Sequence, residues 1–233
     1  MDILHAANLY SYYGKSPVIQ DLSFKMKKGE FLSILGRNGV GKTTLLKTIM
    51  GLTDRATGGL LFDGSEIVEA KPYERAKLGI GYIPQGREVI PRFTVRENIV
   101  MGTYARADGK RNIPEYLFDM FPILREFLNR RGGDLSGGQQ QQLAIARALA
   151  MDPKILILDE PTEGIQPNIV KQIEEAIVHL NRERGLSIIL VEQNIPFARA
   201  ASDRFIVMDK GRIAMTGEKK DLTDAVVEEH LTF

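Results

Sequence analysis

The chain of 233 residues has no cysteine, which excludes disulfide bonds and metal sites built on cysteine ligands. No segment approaches the ~18 apolar residues that a membrane-spanning helix needs. The charge is almost balanced, with 31 Lys and Arg against 30 Asp and Glu, so the chain lacks the basic footprint of non-specific nucleic-acid binding. It also lacks internal repeats and linkers rich in proline, glycine or serine. We therefore expect one folded unit with a substantial core.

Short apolar runs alternate with helical patterns. The runs at residues 31–35, 155–158 and 187–191 are typical of parallel strands covered on both faces. Helical patterns follow at residues 43–50 and 169–180. This alternation predicts an α/β fold with a parallel sheet.

Two further stretches have a period of two. Residues 205–208 and 212–216 predict a hairpin around Asp209-Lys210-Gly211. Residues 18–26 predict a half-exposed strand. The residues expected on its inward face are Val18, Leu22, Phe24 and Met26.

Residues 91–150 differ from the rest of the chain, because they have helical spacing and no convincing strand. They open with Thr94-Val95-Arg96-Glu97, a pattern typical of a helical capping box. We predict a single domain over residues 1–233. Its α/β core takes residues 1–90 and 151–233, and residues 91–150 form an inserted helical subdomain.

A glycine-rich loop lies between a buried strand and a helix. It reads Gly36-Arg37-Asn38-Gly39-Val40-Gly41-Lys42-Thr43 and is extended by Thr44. This pattern is typical of a loop whose amides surround phosphates at the positive end of a helix. Lys42 is expected to contact the β- and γ-phosphates, and the Thr43 hydroxyl to ligate Mg²⁺. A chance glycine-rich turn is the alternative.

Two carboxylates, Asp159 and Glu160, follow the apolar residues 155–158 and so emerge at the end of a central strand. Asp159 is expected to hold Mg²⁺ through water, and Glu160 to polarise an attacking water. Phosphoryl transfer requires mainly positioning and charge neutralisation, which these groups supply. An acidic pair that caps the next helix is the alternative.

A serine–glycine segment precedes another helical pattern, at residues 140–150. It reads Leu135-Ser136-Gly137-Gly138-Gln139. A hydroxyl and bare amides at a helix N-terminus form a good anion site. The alternative is an ordinary glycine-rich cap, with Asp134 or Ser136 as the capping residue.

The order of phosphate loop, Ser136 segment and acidic strand end resembles the ATP-binding subunits of ABC transporters over essentially the whole chain. The resemblance implies a P-loop NTPase core, an antiparallel β subdomain and a helical subdomain that carries the signature Leu135 to Gln139. It implies an ATPase that uses ATP and Mg²⁺. In that family the signature binds the γ-phosphate of ATP held by the opposite subunit, which implies a homodimer or a heterodimer with a sister ATPase.

Three more residues take roles from the resemblance. Tyr13 would stack on adenine, worth ~1–3 kcal/mol by analogy with base stacking, and Tyr12 is its nearest rival. Gln85 matches the glutamine that reaches toward Mg²⁺ and the attacking water. Gln193 stands where the family usually has a histidine, and glutamine keeps an N–H donor but cannot become a cation. Each of these residues could instead be an ordinary strand or loop residue.

The resemblance to one subfamily depends on Gln193 and on the sequences of four short loop segments, called loop strings below. The glutamine is familiar from one of the two ATPases of branched-chain amino acid importers. The strings look closest to the urea-type member of that branch, and they occupy residues 85–92, 130–134, 139–142 and 161–167. The resemblance implies uptake of urea, or of branched-chain or polar amino acids, through two integral membrane permease subunits, with an extracytoplasmic solute-binding protein. The chain would then lie peripherally on the cytoplasmic face of the inner membrane.

Two other functions are alternatives to an importer ATPase. A soluble ABC ATPase that acts on nucleic acid or ribosomes would usually carry two cassettes or a long coiled-coil insertion, and this chain has one phosphate loop and a net charge of +1. A small-molecule kinase would leave the signature and Glu160 unexplained. We therefore expect no nucleic-acid partner.

Overall fold

The computed structural model describes residues 1–231 and contains two β-sheets flanked by helices. The strands are β1 (Asp2–Tyr13), β2 (Ser16–Lys27), β3 (Phe31–Leu35), β4 (Arg55–Phe62), β5 (Ser65–Glu66), β6 (Ile80–Ile83), β7 (Ile155–Asp159), β8 (Ser187–Val191), β9 (Arg204–Asp209) and β10 (Arg212–Glu218). The helices are α1 (Lys42–Met50), α2 (Pro72–Leu78), α3 (Val95–Thr103), α4 (Tyr116–Met120), α5 (Pro122–Glu126), α6 (Gly137–Leu149), α7 (Pro167–Arg182), α8 (Ile195–Ala201) and α9 (Asp224–His230).

The larger sheet has the strand order β10-β9-β3-β8-β7-β6. Its neighbouring strands are parallel except at the β9–β10 hairpin, which is antiparallel as the sequence predicted. The smaller sheet, β2-β1-β4-β5, is antiparallel throughout. Helices α3 to α6 lie between β6 and β7 in the sequence. The α/β fold with an antiparallel sheet and a helical part is therefore confirmed, with a main sheet that is mixed rather than wholly parallel.

The central strands are buried on both faces, which explains their continuous apolar sequences. In β7, Leu156 and Leu158 pack into the same cluster as helices α6 and α7. Ile155 and Ile157 point the other way, into the cluster formed with α1 and the antiparallel sheet. Successive side chains of a strand alternate between faces, so one short strand joins two cores.

The predicted face of β2 is right from Leu22 onward but wrong at Val18. Ile19 is buried there and Val18 is only half-buried. Asp21 has a φ of 50°, and the pairing of β2 with β1 shifts register between Ile19 and Leu22. Such a bulge moves the preceding residues to the other face of the strand, and a simple alternation pattern does not show it.

The predicted helix ends are confirmed. The Thr94 side chain accepts from the Glu97 amide in a capping box, and Gly51 ends α1 with a φ of 71°. Ser136, rather than Asp134, caps α6. In the part of the chain that the structure describes, we find no helix that combines the length and the apolar character needed to cross a bilayer.

A buried guanidinium ties α1 to the segment that precedes α2. Arg75 is 1% exposed and donates from Nη1 to the carbonyls of Thr48 (2.7 Å) and Ile49 (2.8 Å) near the end of α1. It also donates to the carbonyls of Val68 (2.8 Å) and Ala70 (2.8 Å). Carbonyls in the last turn of a helix lack the usual partner within the helix, and Arg75 supplies a donor to two of them; the Thr48 carbonyl accepts from the Gly51 amide as well, at 3.1 Å.

We therefore predict that Arg75→Met lowers the free energy of unfolding by about 3 kcal/mol, because buried carbonyls lose a charged donor. Urea denaturation of the purified chain measures this change. The control is Arg96→Met at an exposed position of α3, which should shift stability by less than about 0.5 kcal/mol. Equal unfolding midpoints for the two variants would show that the Arg75 contacts contribute little.

Candidate functional site

The phosphate loop connects β3 to α1, at the carboxyl end of the strand. Its backbone has positive φ at Gly36 (146°), Gly39 (79°) and Gly41 (106°). A Cβ on Gly36 would lie 2.6 Å from the carbonyl oxygen of Met208, so this position requires glycine. The loop therefore takes the shape that brings its amides around an anion at the start of α1.

Lys42 places its ammonium group inside this loop. The side chain is buried and Nζ donates to the carbonyls of Gly36 (2.7 Å) and Arg37 (3.0 Å). Burial lowers the pKa of Lys42, and the nearby carboxylates of Glu160 and Asp159 oppose that effect. A phosphate in the loop would supply the negative charge that this buried cation lacks.

Asp159 ends β7 beside the first turn of α1. The Thr43 hydroxyl donates to its Oδ1 at 3.2 Å, whereas the buried Oδ2 has no hydrogen-bond partner. Burial is the main cause that raises the pKa of Asp159, and the Thr43 hydrogen bond opposes it. Carboxylate and hydroxyl oxygens are the ligands that Mg²⁺ prefers, and an unpartnered buried oxygen is a suitable contact for a cation or its water. The residues present therefore fit a magnesium ion.

Glu160 and Gln193 are joined directly. Gln193 Nε2 donates to Glu160 Oε1 at 2.9 Å. Glu160 has a φ of 47°, a left-handed conformation that is rare for a residue with a side chain, and its amide donates to the Val191 carbonyl at 2.9 Å. Strained backbone of this kind is found at functional sites, where the surrounding structure maintains it. The predicted base and the residue at the histidine position thus form a pair across β7 and β8.

A buried carboxylate that sequence reasoning missed holds this pair in place. Glu192 is 5% exposed and accepts from the amides of Thr162 (3.3 Å), Gln193 (2.9 Å) and Asn194 (3.1 Å). It also accepts from the Thr162 hydroxyl. The carboxylate links the loop after β7 to the loop after β8. An acidic residue after a buried strand was the available signal, but its contact with Thr162 joins segments 30 residues apart in the sequence.

Gln85 follows β6 and contacts a second missed residue. Its Nε2 donates to Glu163 Oε2 at 2.7 Å. Both side chains line the same pocket as Lys42. No pattern in the sequence distinguishes Glu163 from the rest of its loop.

One pocket of about 320 Å³ brings half of the predicted site residues together. The residues that line it are Val18, Asn38, Gly39, Gly41, Lys42, Thr43, Thr44, Gln85, Glu160, Glu163 and Gln193. Among the described residues that form its wall, none comes from the segment Ser136 to Gln139, and Tyr13 is also outside it. Val18 reaches the pocket because of the bulge in β2, and sequence reasoning did not include it.

The Ser136 segment forms the N-terminal cap of α6. The Ser136 hydroxyl accepts from the Gln139 amide at 3.4 Å, and Gln139 Oε1 accepts from the Ser136 amide at 3.0 Å. Gly137 lies against the guanidinium of Arg87, since a Cβ there would be 2.7 Å from Nη1. The segment is thus held in a fixed shape, and its hydroxyl is exposed at the surface of the chain.

The two neighbouring tyrosines differ in their surroundings. Tyr12 has its ring covered by the guanidinium of Arg55, 4.3 Å from the ring centroid. Tyr13 is 39% exposed at the end of β1. Of the two, Tyr13 is the more exposed.

Comparison with known proteins shows the family of the chain. Residues 19–163 match the sequence profile of the family described as ABC transporter. The chain is 42% identical over 206 residues to the high-affinity branched-chain amino acid transport ATP-binding protein BraG of Pseudomonas aeruginosa, with 88% of each chain covered. It is 37% identical over 224 residues to the probable branched-chain amino acid transport ATP-binding protein LivF of Archaeoglobus fulgidus, with 95% of this chain and 94% of that one covered.

Two solved structures share the fold. A nucleotide-free ATP-binding cassette from an ABC transporter has a TM-score of 0.83 and 26% identity, with 98% of this chain and 96% of that one covered. The ATP-binding cassette MJ0796, solved as a dimer with ADP and Pi, has a TM-score of 0.80 and 28% identity, with 93% and 98% covered. The fold and the phosphate pocket therefore define an ATP-binding cassette. The chain belongs to the ABC transporter family, and it is an ATPase.

We predict that Gln193→Ala lowers ATP turnover by about tenfold to a hundredfold, the range for loss of one hydrogen bond to a charged group. Gln193→His should be tolerated or faster, because histidine keeps a donor of similar reach and can carry a positive charge. The measurement is steady-state ATPase activity of the reconstituted complex, with any sister site silenced by its own lysine substitution. Turnover of Gln193→Ala equal to that of the wild type would make Gln193 a bystander.

Proposed function

We propose that this chain is the ATP-hydrolysing subunit of an importer for a small polar solute, and that its pocket binds Mg-ATP. Lys42 and the amides of the phosphate loop hold the β- and γ-phosphates. Thr43, Asp159 and Gln85 hold magnesium, directly or through water. The observation that carries this assignment is the unpartnered Oδ2 of Asp159 beside the Thr43 hydroxyl and the buried Lys42 ammonium.

Hydrolysis follows from the residues opposite the phosphate loop. Glu160 accepts a hydrogen bond from the attacking water. This polarises the water, so that its oxygen attacks the γ-phosphorus. Gln193, already bonded to Glu160, donates its amide to a γ-phosphate oxygen. Magnesium, when bound, neutralises charge on the phosphates. Positioning and charge compensation are the main requirements of phosphoryl transfer, and these residues supply both.

We propose that a second ATPase subunit completes the site. The segment Ser136, Gly137, Gly138 and Gln139 does not line the pocket of its own chain, although a helix N-terminus with an exposed serine suits a phosphate. In the dimer of MJ0796 a related cassette pairs with its own copy. Here the partner is a second copy or a sister ATPase. Tyr13 supplies the stacking surface for adenine in the same site.

The membrane partners are two integral permease subunits, reached from the cytoplasmic face of the inner membrane. Large apolar side chains remain exposed on the described chain, and they include Leu52, Tyr73, Phe93, Met101 and Tyr104. Exposed apolar surface of this kind is typical of protein contact sites. We place the permease contact on the helical subdomain of residues 91–150, inserted between core segments 1–90 and 151–233.

The transported solute is proposed from relatives and from loop sequence. BraG and LivF are described as branched-chain amino acid transport proteins, and this supports branched-chain amino acids as the solute. The loop strings at residues 85–92, 130–134, 139–142 and 161–167 resemble the urea-type subunit of the same branch, which makes urea the second candidate. An extracytoplasmic binding protein would deliver either solute to the permease.

The test is uptake of radiolabelled leucine and of radiolabelled urea by a strain that lacks this gene. Wild-type protein should restore uptake of one of the two solutes. Lys42→Ala should leave less than about a tenth of that uptake, because a P-loop ATPase without this lysine fails to hold the β- and γ-phosphates. Lys171→Ala, an exposed lysine of α7, is the matched control and should restore uptake fully.

Two outcomes would contradict the proposal. In the first, deletion leaves uptake of leucine, urea and other small polar solutes unchanged. In the second, protein purified from native membranes carries RNA and no integral membrane subunit. The second result would favour an ATPase that acts on nucleic acid or ribosomes.

A further inference from the structure

The contact between Gln85 and Glu163 fixes the orientation of an amide. A carboxylate accepts hydrogen bonds and donates none, so the group that faces Glu163 must be the NH₂ of Gln85. The observed contact, Nε2 to Oε2 at 2.7 Å, has this polarity. The atom that Gln85 has left to offer the pocket is therefore its carbonyl oxygen Oε1, which is a ligand for a hard cation.

The segment that carries Gln85 is held in place by the turn that follows it. The three residues after it, Gly86, Arg87 and Glu88, all have positive φ, at 86°, 72° and 46°. Arg147 Nη2 donates to the Glu88 carbonyl at 2.8 Å, which ties this turn to α6. A non-glycine residue in the left-handed region persists only where its surroundings hold it.

The segment that carries Glu163 is tied to the same turn. Arg87 Nη2 lies 3.4 Å from the carbonyl oxygens of both Glu163 and Gly164. The two loops are therefore joined by the Arg87 side chain, which contacts backbone carbonyls, as well as by the Gln85–Glu163 hydrogen bond. Glu163 also lines the pocket together with Lys42 and Glu160.

We infer that Glu163 is a positioning residue, which holds the NH₂ of Gln85 so that the Gln85 carbonyl oxygen is presented to Mg²⁺. Glu163 itself touches neither phosphate nor metal in this arrangement. Without the carboxylate, the amide turns freely and presents its NH₂ to the cation for part of the time. The inference rests on the proposed function, because it takes Mg-ATP as the ligand of the pocket.

The experiment measures binding rather than turnover. The dissociation constant of a fluorescent ATP analogue is determined for the full chain with Mg²⁺ and with EDTA. The value in EDTA divided by the value in Mg²⁺ is the ratio that reports the Mg²⁺-dependent part of the affinity. Glu163→Ala should lower this ratio by up to about tenfold, because Mg²⁺ binding must then immobilise a Gln85 side chain that Glu163 no longer holds. Glu163→Gln, whose amide oxygen can still accept from Gln85, should retain most of it. Glu126→Ala removes the same charge from exposed α5 and should leave the ratio unchanged.

A double-mutant cycle separates positioning from simple charge repulsion. Gln85→Ala should lower the ratio at least as much as Glu163→Ala does, and the double variant should fall no further than Gln85→Ala. If Glu163 only repels the nucleotide, its removal tightens binding with and without Mg²⁺, and does so equally in the Gln85→Ala background. That result, or an unchanged ratio in Glu163→Ala, overturns the inference. Failure of the wild-type chain to bind Mg-ATP would instead count against the proposed function.

Discussion

The parallel pairing of β3, β7 and β8 is the constraint on which the site depends. Parallel strands end at the same edge of a sheet, so the phosphate loop, the Asp159–Glu160 pair and the Glu192–Gln193 loop are brought together without direct attraction between them. Burial of the central strands on both faces sets this pairing, because a slip of one residue would exchange the two cores. The chemistry is thus positioned by the hydrophobic core.

The charges at that edge are arranged for a ligand. Burial lowers the pKa of Lys42 and raises the pKa of Asp159, so each group loses solvation that its present partners do not fully replace. A triphosphate beside the ammonium and a cation beside Asp159 Oδ2 would compensate both groups at once. The site is therefore complementary to a metal–phosphate pair, and this explains why a folded chain keeps two incompletely compensated charges close together.

The sequence predicted those features that depend on interactions between residues close together in the chain. Buried strands, the Thr94 and Ser136 caps and the phosphate loop all depend on residues close to one another in the chain. It was insufficient where a contact joins distant segments. The bulge at Asp21 moved Ile19 to the core and Val18 to the pocket. The hydrogen bonds from Arg75 to the end of α1 and from Thr162 to Glu192 also join distant segments. No short sequence pattern shows such contacts.

We propose that the pocket binds Mg-ATP and that Glu160 activates the water which hydrolyses it. The sharpest test is the nucleotide retained by the complex, purified after incubation with Mg-ATP, when this chain carries Glu160→Gln. A glutamine at this position keeps the shape of the side chain but is a poor base. We expect the variant complex to retain unhydrolysed ATP at this site, whereas a complex with Lys42→Ala should retain none there. Wild-type turnover in Glu160→Gln, with ADP as the recovered nucleotide, would show that another group activates the water.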